Sequence, residues 1–107
     1  MSELVLVYTL FGSSDEARTV SRQLVEEKFA ACANIHAPCT SIYEWDGQVR
    51  EEGEVPVLFK TTPSQRPALM ARLAELHSYD VPAILSWDMT ADEAYCGWVE
   101  AQITAKP

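Results

Sequence analysis

The first third of the chain has a strand pattern followed by a helix pattern. Residues 4–8 form a continuous apolar run rich in β-branched side chains, which is typical of a strand buried on both faces. We therefore expect this strand at the centre of a sheet. Gly12 then interrupts the pattern, and Ser13 and Glu16 have the spacing of a capping box that starts a helix. Apolar residues at helical spacing extend this helix to near Lys28.

Residues 30–61 predict a hairpin of two long arms. Asp46 and Gly47 both tolerate positive φ, so this pair favours a two-residue type I′ turn. At roughly 3.3 Å per residue, the arms reach well past the core of a domain this size, whose radius of gyration should be about 13 Å. The tip nevertheless carries the apolar residues Ile42, Tyr43, Trp45 and Val49. Such surface marks a partner interface, so we expect an oligomer built through this hairpin.

Two helix patterns and one strand pattern follow the hairpin. A stripe of apolar residues predicts a helix over residues 63–77, which Ser64 is able to cap. Residues 81–87 form a short apolar run that predicts the last strand. Thr90 and Glu93 have the spacing of a second capping box, and the helix that they start runs to the C-terminus.

The predicted order is β-α-β-β-α-β with an added C-terminal helix. This order is the ferredoxin-like α+β plan of two split β-α-β units, here with an extended hairpin between its second and third strands. A chain of 107 residues, 48% of them hydrophobic, is long enough for one core but not for two. We therefore predict a single domain over residues 1–107.

Charge and cysteine content restrict the partners and the compartment. The net charge of −8 argues against nucleic acid and anionic membranes, since phosphate binding needs clustered basic residues. The apolar run of residues 4–10 is too short for a membrane span and lacks the basic leader and cleavage site of a signal peptide. The three cysteines lack a Cys-x-x-Cys spacing, which fits reduced thiols. We therefore expect a cytoplasmic protein.

A set of short motifs covers nearly the whole chain. The motifs are Ala31-Cys32-x-Asn34-Ile35, Ser41-Ile42-Tyr43-x-Trp45-x-Gly47-x-Val49, Glu54, Lys60-Thr61, His77-x-Tyr79-x-Val81-Pro82 and Tyr95-x-x-Trp98. In order and spacing they resemble the CutA (CutA1-like) divalent-cation tolerance proteins. The resemblance implies a PII-like homotrimer of ferredoxin-like subunits whose hairpins pair between neighbours. It also implies a role in tolerance of copper and other divalent metals.

Two side chains are candidate metal ligands. Thiolate suits Cu(I) and imidazole accepts copper in either oxidation state, so Cys32 and His77 are the candidates for weakly bound copper or another divalent metal. Neither has a second ligand at metal-binding spacing, so a site must be assembled in space or across subunits. The alternative is structural, with Cys32 as a small buried residue and His77 as a helix C-terminal histidine favoured by the macrodipole.

A second group of candidates is expected in a cleft or interface between subunits. Glu54 and Lys60 lie on the returning arm, Tyr79 follows the second helix, and Trp45 lies at the tip. In a trimer these side chains can converge on a concave ligand site. The competing interpretation is that Glu54 forms an ion pair with Lys60, or with an arginine of another subunit, that merely fixes the trimer. The other aromatic candidates for this surface are Tyr43 and Trp98.

Three classes of function follow from these observations. The first is a trimeric metal-binding or signalling protein of divalent-cation tolerance, which the resemblance favours. The second is a PII-like binder of a small molecule or an enzyme with a site between subunits. We do not expect an enzyme, since no nucleophile and base pair is readable from spacing. The third is an RNA-binding ferredoxin-like domain, which lacks the stacking aromatics and basic residues on its central strands.

Overall fold

The computed structural model describes residues 2–104 and shows an α+β fold. Five strands, three α-helices and one 3₁₀ turn alternate along these residues. In chain order they are β1 (Ser2–Phe11), α1 (Ser14–Glu26), β2 (Cys32–Ile35), β3 (Cys39–Trp45), β4 (Gln48–Thr61), the 3₁₀ turn Pro63–Gln65, α2 (Arg66–Leu76), β5 (Ile84–Ala91) and α3 (Glu93–Thr104). The ferredoxin-like order predicted from the sequence is confirmed, with the first arm of the hairpin divided into β2 and β3.

The strands form one antiparallel sheet in the order β2-β4-β1-β5, and β3 continues the sheet by pairing with the outer half of β4. Strand β1 lies between β4 and β5, with Val7 opposite Phe59 on one side and opposite Ser86 on the other. Residues 4–7 are buried, as the sequence predicts for a central strand, whereas Tyr8 and Leu10 are half-buried.

The main core lies between the sheet and helices α1 and α2. Alternate residues of β1 and β4 point towards these helices and are fully buried, among them Val7, Phe11 and Phe59. Leu24 of α1 and Leu73 of α2 pack against them. The apolar stripes of both helices thus face the sheet, which is how amphipathic helices bury their hydrophobic side.

The opposite face of the sheet is covered only in part. Helix α3 packs Cys96 and Val99 against Leu4, so Cys96 serves as a core residue. On β5, Leu85 and Trp87 remain largely exposed although they are large and apolar. Apolar area is therefore left open beside α3.

The hairpin of β3 and β4 has the turn that the sequence predicts. Asp46 has a φ of 53° and Gly47 a φ of 76°, which fits the two positive φ angles of a type I′ turn. From the turn towards the base of the hairpin, the pairing runs from Trp45 opposite Gln48 to Cys39 opposite Glu54. Large apolar side chains near the tip have little cover within the chain: Ile42 is 66% exposed and Val49 is 72% exposed.

Several predicted boundaries are wrong. The last strand begins at Ile84 rather than at residue 81 and continues to Ala91, because β1 supplies pairing partners up to Ser2 opposite Ala91. Thr90 therefore lies inside β5, and Asp92 caps α3 instead by accepting from the Tyr95 amide at 3.2 Å.

At the second helix, Ser64 lies within the 3₁₀ turn, and the N-cap position of α2 is Gln65. Helix α2 starts at Arg66, with Pro67 in its first turn, where proline is tolerated. It ends at Leu76, one residue before the predicted end. Within residues 2–104, no helix is long and apolar enough to cross a membrane.

Candidate functional site

The base of the hairpin holds a buried carboxylate. Glu54, the first buried residue of β4, is 9% exposed, and the Tyr79 hydroxyl donates a hydrogen bond to its Oε2 at 2.9 Å. Gly12 allows the Tyr79 ring to approach, because a Cβ at this position would lie 3.3 Å from the tyrosine hydroxyl oxygen. We call Glu54, Tyr79, Tyr8 and Cys39 the hairpin-base cluster.

The other two members of the hairpin-base cluster come from neighbouring strands. Cys39 lies directly opposite Glu54 on β3, so both side chains project to the same face of the sheet. Tyr8 comes from β1, and burial raises the pKa of its hydroxyl, with further increases from Cys39 and Glu54. Burial also raises the pKa of Tyr79, and the hydrogen bond to Glu54 adds to this increase. Both tyrosines therefore remain protonated donors near neutral pH.

His77 positions the loop that carries Tyr79. The His77 ring stacks on Phe11 with ring centroids 4.7 Å apart, and it is buried. Its Nδ1 accepts from the Tyr79 amide at 3.2 Å, which requires the proton to be on Nε2. Nε2 donates that proton to the Leu10 carbonyl at 2.9 Å. Both ring nitrogens are thus engaged, and metal coordination would require one of these bonds to break.

Glu16 fixes the same loop from α1. Its two carboxylate oxygens accept from the Ser78 amide and the Ser78 hydroxyl, each at 3.0 Å. Ser13 caps α1 by accepting from the Glu16 amide at 3.1 Å, so only half of the predicted capping box forms. No local pattern predicts the bond between Glu16 and Ser78, which are 62 residues apart.

Three other predicted residues meet at the β2 edge of the sheet. Cys32 lies opposite Lys60, and its thiol is 3.7 Å from the Asn34 side-chain oxygen. The Lys60 ammonium lies 5.5 Å from the centre of the Tyr95 ring, and Tyr95 in turn stacks on Trp98 with centroids 5.7 Å apart. A cation, a thiol and two aromatic rings therefore lie near one another at this edge.

Within one chain, the predicted residues divide into separate groups. Glu54 and Lys60 are six residues apart on β4, a distance of about 20 Å in a strand. Within one chain these two side chains therefore do not pair; Glu54 bonds Tyr79, while Lys60 lies over Tyr95.

The two predicted metal ligands also lie in different places. His77 bonds Leu10, whereas Cys32 lies two strands away at the level of Leu6. Among residues 2–104, no group of three or more His, Cys, Asp or Glu side chains is placed to hold a metal ion. One chain therefore does not bring Cys32 and His77 together.

The predicted aromatic residues of the hairpin form a third group. Tyr43 and Trp45 are exposed on β3, beyond the hairpin-base cluster. The Tyr43 hydroxyl bonds Glu52 across the hairpin, and this bond raises the pKa of Tyr43. Neither ring covers Glu54 within the same chain.

Sequence reasoning missed two members of the hairpin-base cluster, Tyr8 and Cys39. A signal for Cys39 was available, because a two-residue turn fixes the register of the hairpin. Counting residue pairs from the turn at Asp46 and Gly47 towards the base places Cys39 opposite Glu54.

The sheet order, the helices on its faces and the extended hairpin define a ferredoxin-like α+β protein. The CutA1 divalent ion tolerance protein family model matches residues 5–102. The chain belongs to this family.

Individual relatives agree with this assignment. The chain is 41% identical over 100 residues to the divalent-cation tolerance protein CutA of Thermus thermophilus, covering 92% of this chain and 95% of that protein. The fold is similar to the crystal structure of CutA1 from Ehrlichia chaffeensis, with a TM-score of 0.92, 30% identity and coverage of 98% and 99% of the two chains. CutA1 from Pyrococcus horikoshii matches with a TM-score of 0.90 and 34% identity, over 94% of this chain and 99% of that chain.

Proposed function

We propose that this protein acts in divalent-cation tolerance as a cytosolic homotrimer that binds copper or another divalent ion at the hairpin-base cluster. The observation that carries this proposal is the buried Glu54 carboxylate, which has a phenol donor on one oxygen and no basic side chain within 4 Å among residues 2–104. A buried negative charge is costly unless a cation or several donors compensate it. A bound cation would supply that compensation.

The donor types of the cluster suit a metal of borderline softness. Glu54 offers a carboxylate oxygen and Cys39 offers a thiol on the neighbouring strand. Thiolate favours copper and zinc over the harder ions calcium and magnesium. Within residues 2–104, one chain supplies only these two ligands to the cluster, so water or a neighbouring subunit would complete the site, which implies modest affinity. Coordination should also release a proton from the thiol, so metal affinity should rise with pH.

The exposed apolar surface supports the proposed trimer. Side chains of the hairpin and of β5, including Val49 and Trp87, are exposed in a single chain although they are large and apolar. A closed cyclic assembly would bury them and pair the open edges of β3 and β5. Sedimentation equilibrium at micromolar concentration should give a single trimer mass, and a clean monomer would contradict the proposal.

Copper titration tests the metal site directly. We expect Glu54→Gln to weaken copper binding by at least about tenfold, because the neutral amide is a poorer metal ligand than the carboxylate. Glu51→Gln is the matched control, since Glu51 is an exposed carboxylate of the same strand. Isothermal titration of anaerobic protein with copper measures both affinities. Equal affinity of wild type and Glu54→Gln would remove Glu54 from the site.

The same titration tests whether His77, a candidate ligand from the sequence, binds copper. The sequence predicts His77 and Cys32 as copper ligands; for His77, the two hydrogen bonds of its ring favour a structural role instead. We expect His77→Ala to lower stability and to leave copper affinity unchanged. Loss of copper binding in His77→Ala, with the fold intact, would instead place the metal at His77.

The alternative is a PII-like signalling protein that binds a small molecule, or an enzyme, in a cleft between subunits. Its distinguishing residues are Glu54 and Lys60, which converge only if different subunits supply them. Glu54→Gln and Lys60→Met should then each abolish retention of a small molecule in native mass spectra while the trimer persists. Cell fractionation tests the cytosolic location, since the similar CutA structure from Archaeoglobus fulgidus is described as periplasmic.

A further inference from the structure

A groove runs along the β2 edge of the sheet, apart from the hairpin-base cluster. It lies between α1, β2 and α3 and has a volume of about 490 Å³. This volume is within the range of about 300–1,000 Å³ that is usual for small-molecule sites. The polar and aromatic residues that line the groove are Arg18, Ser21, Arg22, Glu26, Cys32 and Trp98. We call it the β2-edge groove.

The groove is locally basic in an acidic protein. Arg18 and Arg22 are four residues apart on α1, so their guanidinium groups project from the same face of the helix. Neither has a carboxylate oxygen within 4 Å in the part of the chain that the structure describes. Glu26 is the one carboxylate among the described lining residues. The lining therefore carries a net positive charge although the chain as a whole has a net charge of −8.

A buried hydroxyl without a partner also lines this groove. Ser21 is 4% exposed, and its Oγ has no hydrogen-bond partner within residues 2–104. Buried hydroxyl groups are normally hydrogen-bonded, since an unmade bond costs stability. Ser21 lies between the two arginines in sequence. Because the Oγ has essentially no solvent-accessible surface, an anion in the groove would reach it only after the Ser21 side chain rotates.

The far wall of the groove offers an aromatic surface. Trp98 is 45% exposed, and one face of its ring is stacked on Tyr95 at an interplanar angle of 23°. The stacking holds the indole in place and leaves its other face free to contact a ligand. Flat heteroaromatic rings bind such surfaces by stacking, and this interaction is tolerant of the identity of the base.

From these four features we infer that the β2-edge groove binds a nucleoside phosphate. The phosphate would accept from Arg18 and Arg22, and from Ser21 once its side chain rotates towards the groove, and the base would stack on Trp98. Arginine suits this role because its planar group binds phosphate oxygens in pairs. The inference goes beyond the proposed metal function and uses none of the residues of the hairpin-base cluster.

Isothermal titration of the full chain with AMP tests the site. We expect AMP to bind more tightly than either inorganic phosphate or adenosine, because each of these probes keeps only one of the two interactions. Arg22→Gln and Trp98→Ala should each weaken AMP binding by at least about tenfold. Ser21→Ala should weaken it less, since one neutral donor is lost.

Two variants outside the groove serve as matched controls. Arg50→Gln removes an exposed arginine of β4, and Trp87→Ala removes an exposed tryptophan of β5. Both should bind AMP as the wild type does. Sedimentation equilibrium of every variant shows whether its assembly state is unchanged.

Three results would overturn the inference. The first is absence of AMP binding at millimolar concentration. The second is an equal loss of affinity in the groove variants and in the controls, which would indicate nonspecific attraction of an anion. The third is dissociation of the Arg22→Gln or Trp98→Ala assembly, which would mean that a neighbouring subunit covers the groove. Copper titration of the same variants should be unaffected, so failure here leaves the metal proposal standing.

Discussion

The two halves of β4 differ in composition and lie in opposite environments. Residues 54–61 are buried or half-buried, whereas residues 48–53 are exposed. The inner half pairs with β1 on one side and with β2 on the other, whereas the outer half pairs on one side with β3. The two halves therefore differ both in backbone pairing and in what covers the sheet. Helices α1 and α2 cover the inner half, while the outer half has only the arm of β3 beside it.

This difference shows where the stability of one subunit resides. The inner half of β4 contributes Val57 and Phe59 to the main core, and both are fully buried. The outer half contributes exposed side chains such as Val49, whose contacts would come from another molecule. Folding of the subunit should therefore depend on the inner half, and assembly should depend on the outer half. The predictions below test that separation, from the largest expected effect on subunit stability to the smallest.

Phe59→Ala should cause the largest loss of subunit stability. Phe59 is fully buried between the sheet and the helices, so truncation removes apolar burial and leaves a cavity. We expect the free energy of unfolding to fall by about 3–5 kcal/mol. Urea denaturation at matched protein concentration measures it, since assembly makes stability depend on concentration. Val49→Ala in the outer half is the control, and comparable losses in the two variants would contradict the separation.

Tyr79→Phe should cause an intermediate loss of stability. Its hydrogen-bond partner Glu54 lies at the boundary between the two halves of β4. The change removes the hydrogen bond to Glu54 and leaves a buried carboxylate without its donor, which should cost about 1.5–3 kcal/mol. Tyr43→Phe is the control, because its hydroxyl bonds Glu52 on the exposed hairpin. A smaller loss for Tyr79→Phe than for Tyr43→Phe would contradict the assignment.

The loss in Tyr79→Phe should depend on pH in a defined direction. The pKa of Tyr79 is raised in the folded state, first by burial and then by the hydrogen bond to Glu54. A raised pKa means that the stabilisation is complete below the unfolded pKa of about 10 and is lost as pH rises above it. The difference in stability between wild type and Tyr79→Phe should therefore be constant from pH 7 to about 9 and shrink above about pH 10. A difference that grows with alkaline pH would contradict this sign.

Structure set by local preferences was predictable from the sequence, whereas structure set by tertiary pairing was not. The turn at Asp46 and Gly47 was predictable because positive φ is a local preference of those two residues. The start of α3 was not, because pairing with β1 extends β5 through Thr90 and overrides the local capping signal. Tertiary pairing decides such boundaries, and no local pattern contains it.

The candidate site divides in the same way. Separation of Glu54 from Lys60 could have been read from strand geometry, since six residues of strand span about 20 Å. The contact between Glu54 and Tyr79 could not, because it depends on a loop held by Glu16, which is far away in the sequence. Glu54 and Tyr79 were each candidates only because they belong to the family motifs.

Trp45→Asp should have the smallest effect on the subunit and the clearest effect on assembly. Trp45 lies beside the turn, is 46% exposed and belongs to neither hydrophobic core. We therefore expect the stability of the subunit to change by no more than about 0.5 kcal/mol. A carboxylate in an apolar interface, by contrast, would lose its hydration without a partner, so the proposed trimer should dissociate.

Sedimentation equilibrium and urea denaturation of the same Trp45→Asp sample separate these two effects. Glu44→Ala, at the neighbouring exposed position of β3, is the control and should remain trimeric. A Trp45→Asp protein that stays trimeric would place the interface elsewhere, with the open face of β5 as the remaining apolar surface. A Trp45→Asp protein that unfolds as it dissociates would show that the outer half of the hairpin supports the subunit fold, because the inner core would then be insufficient alone.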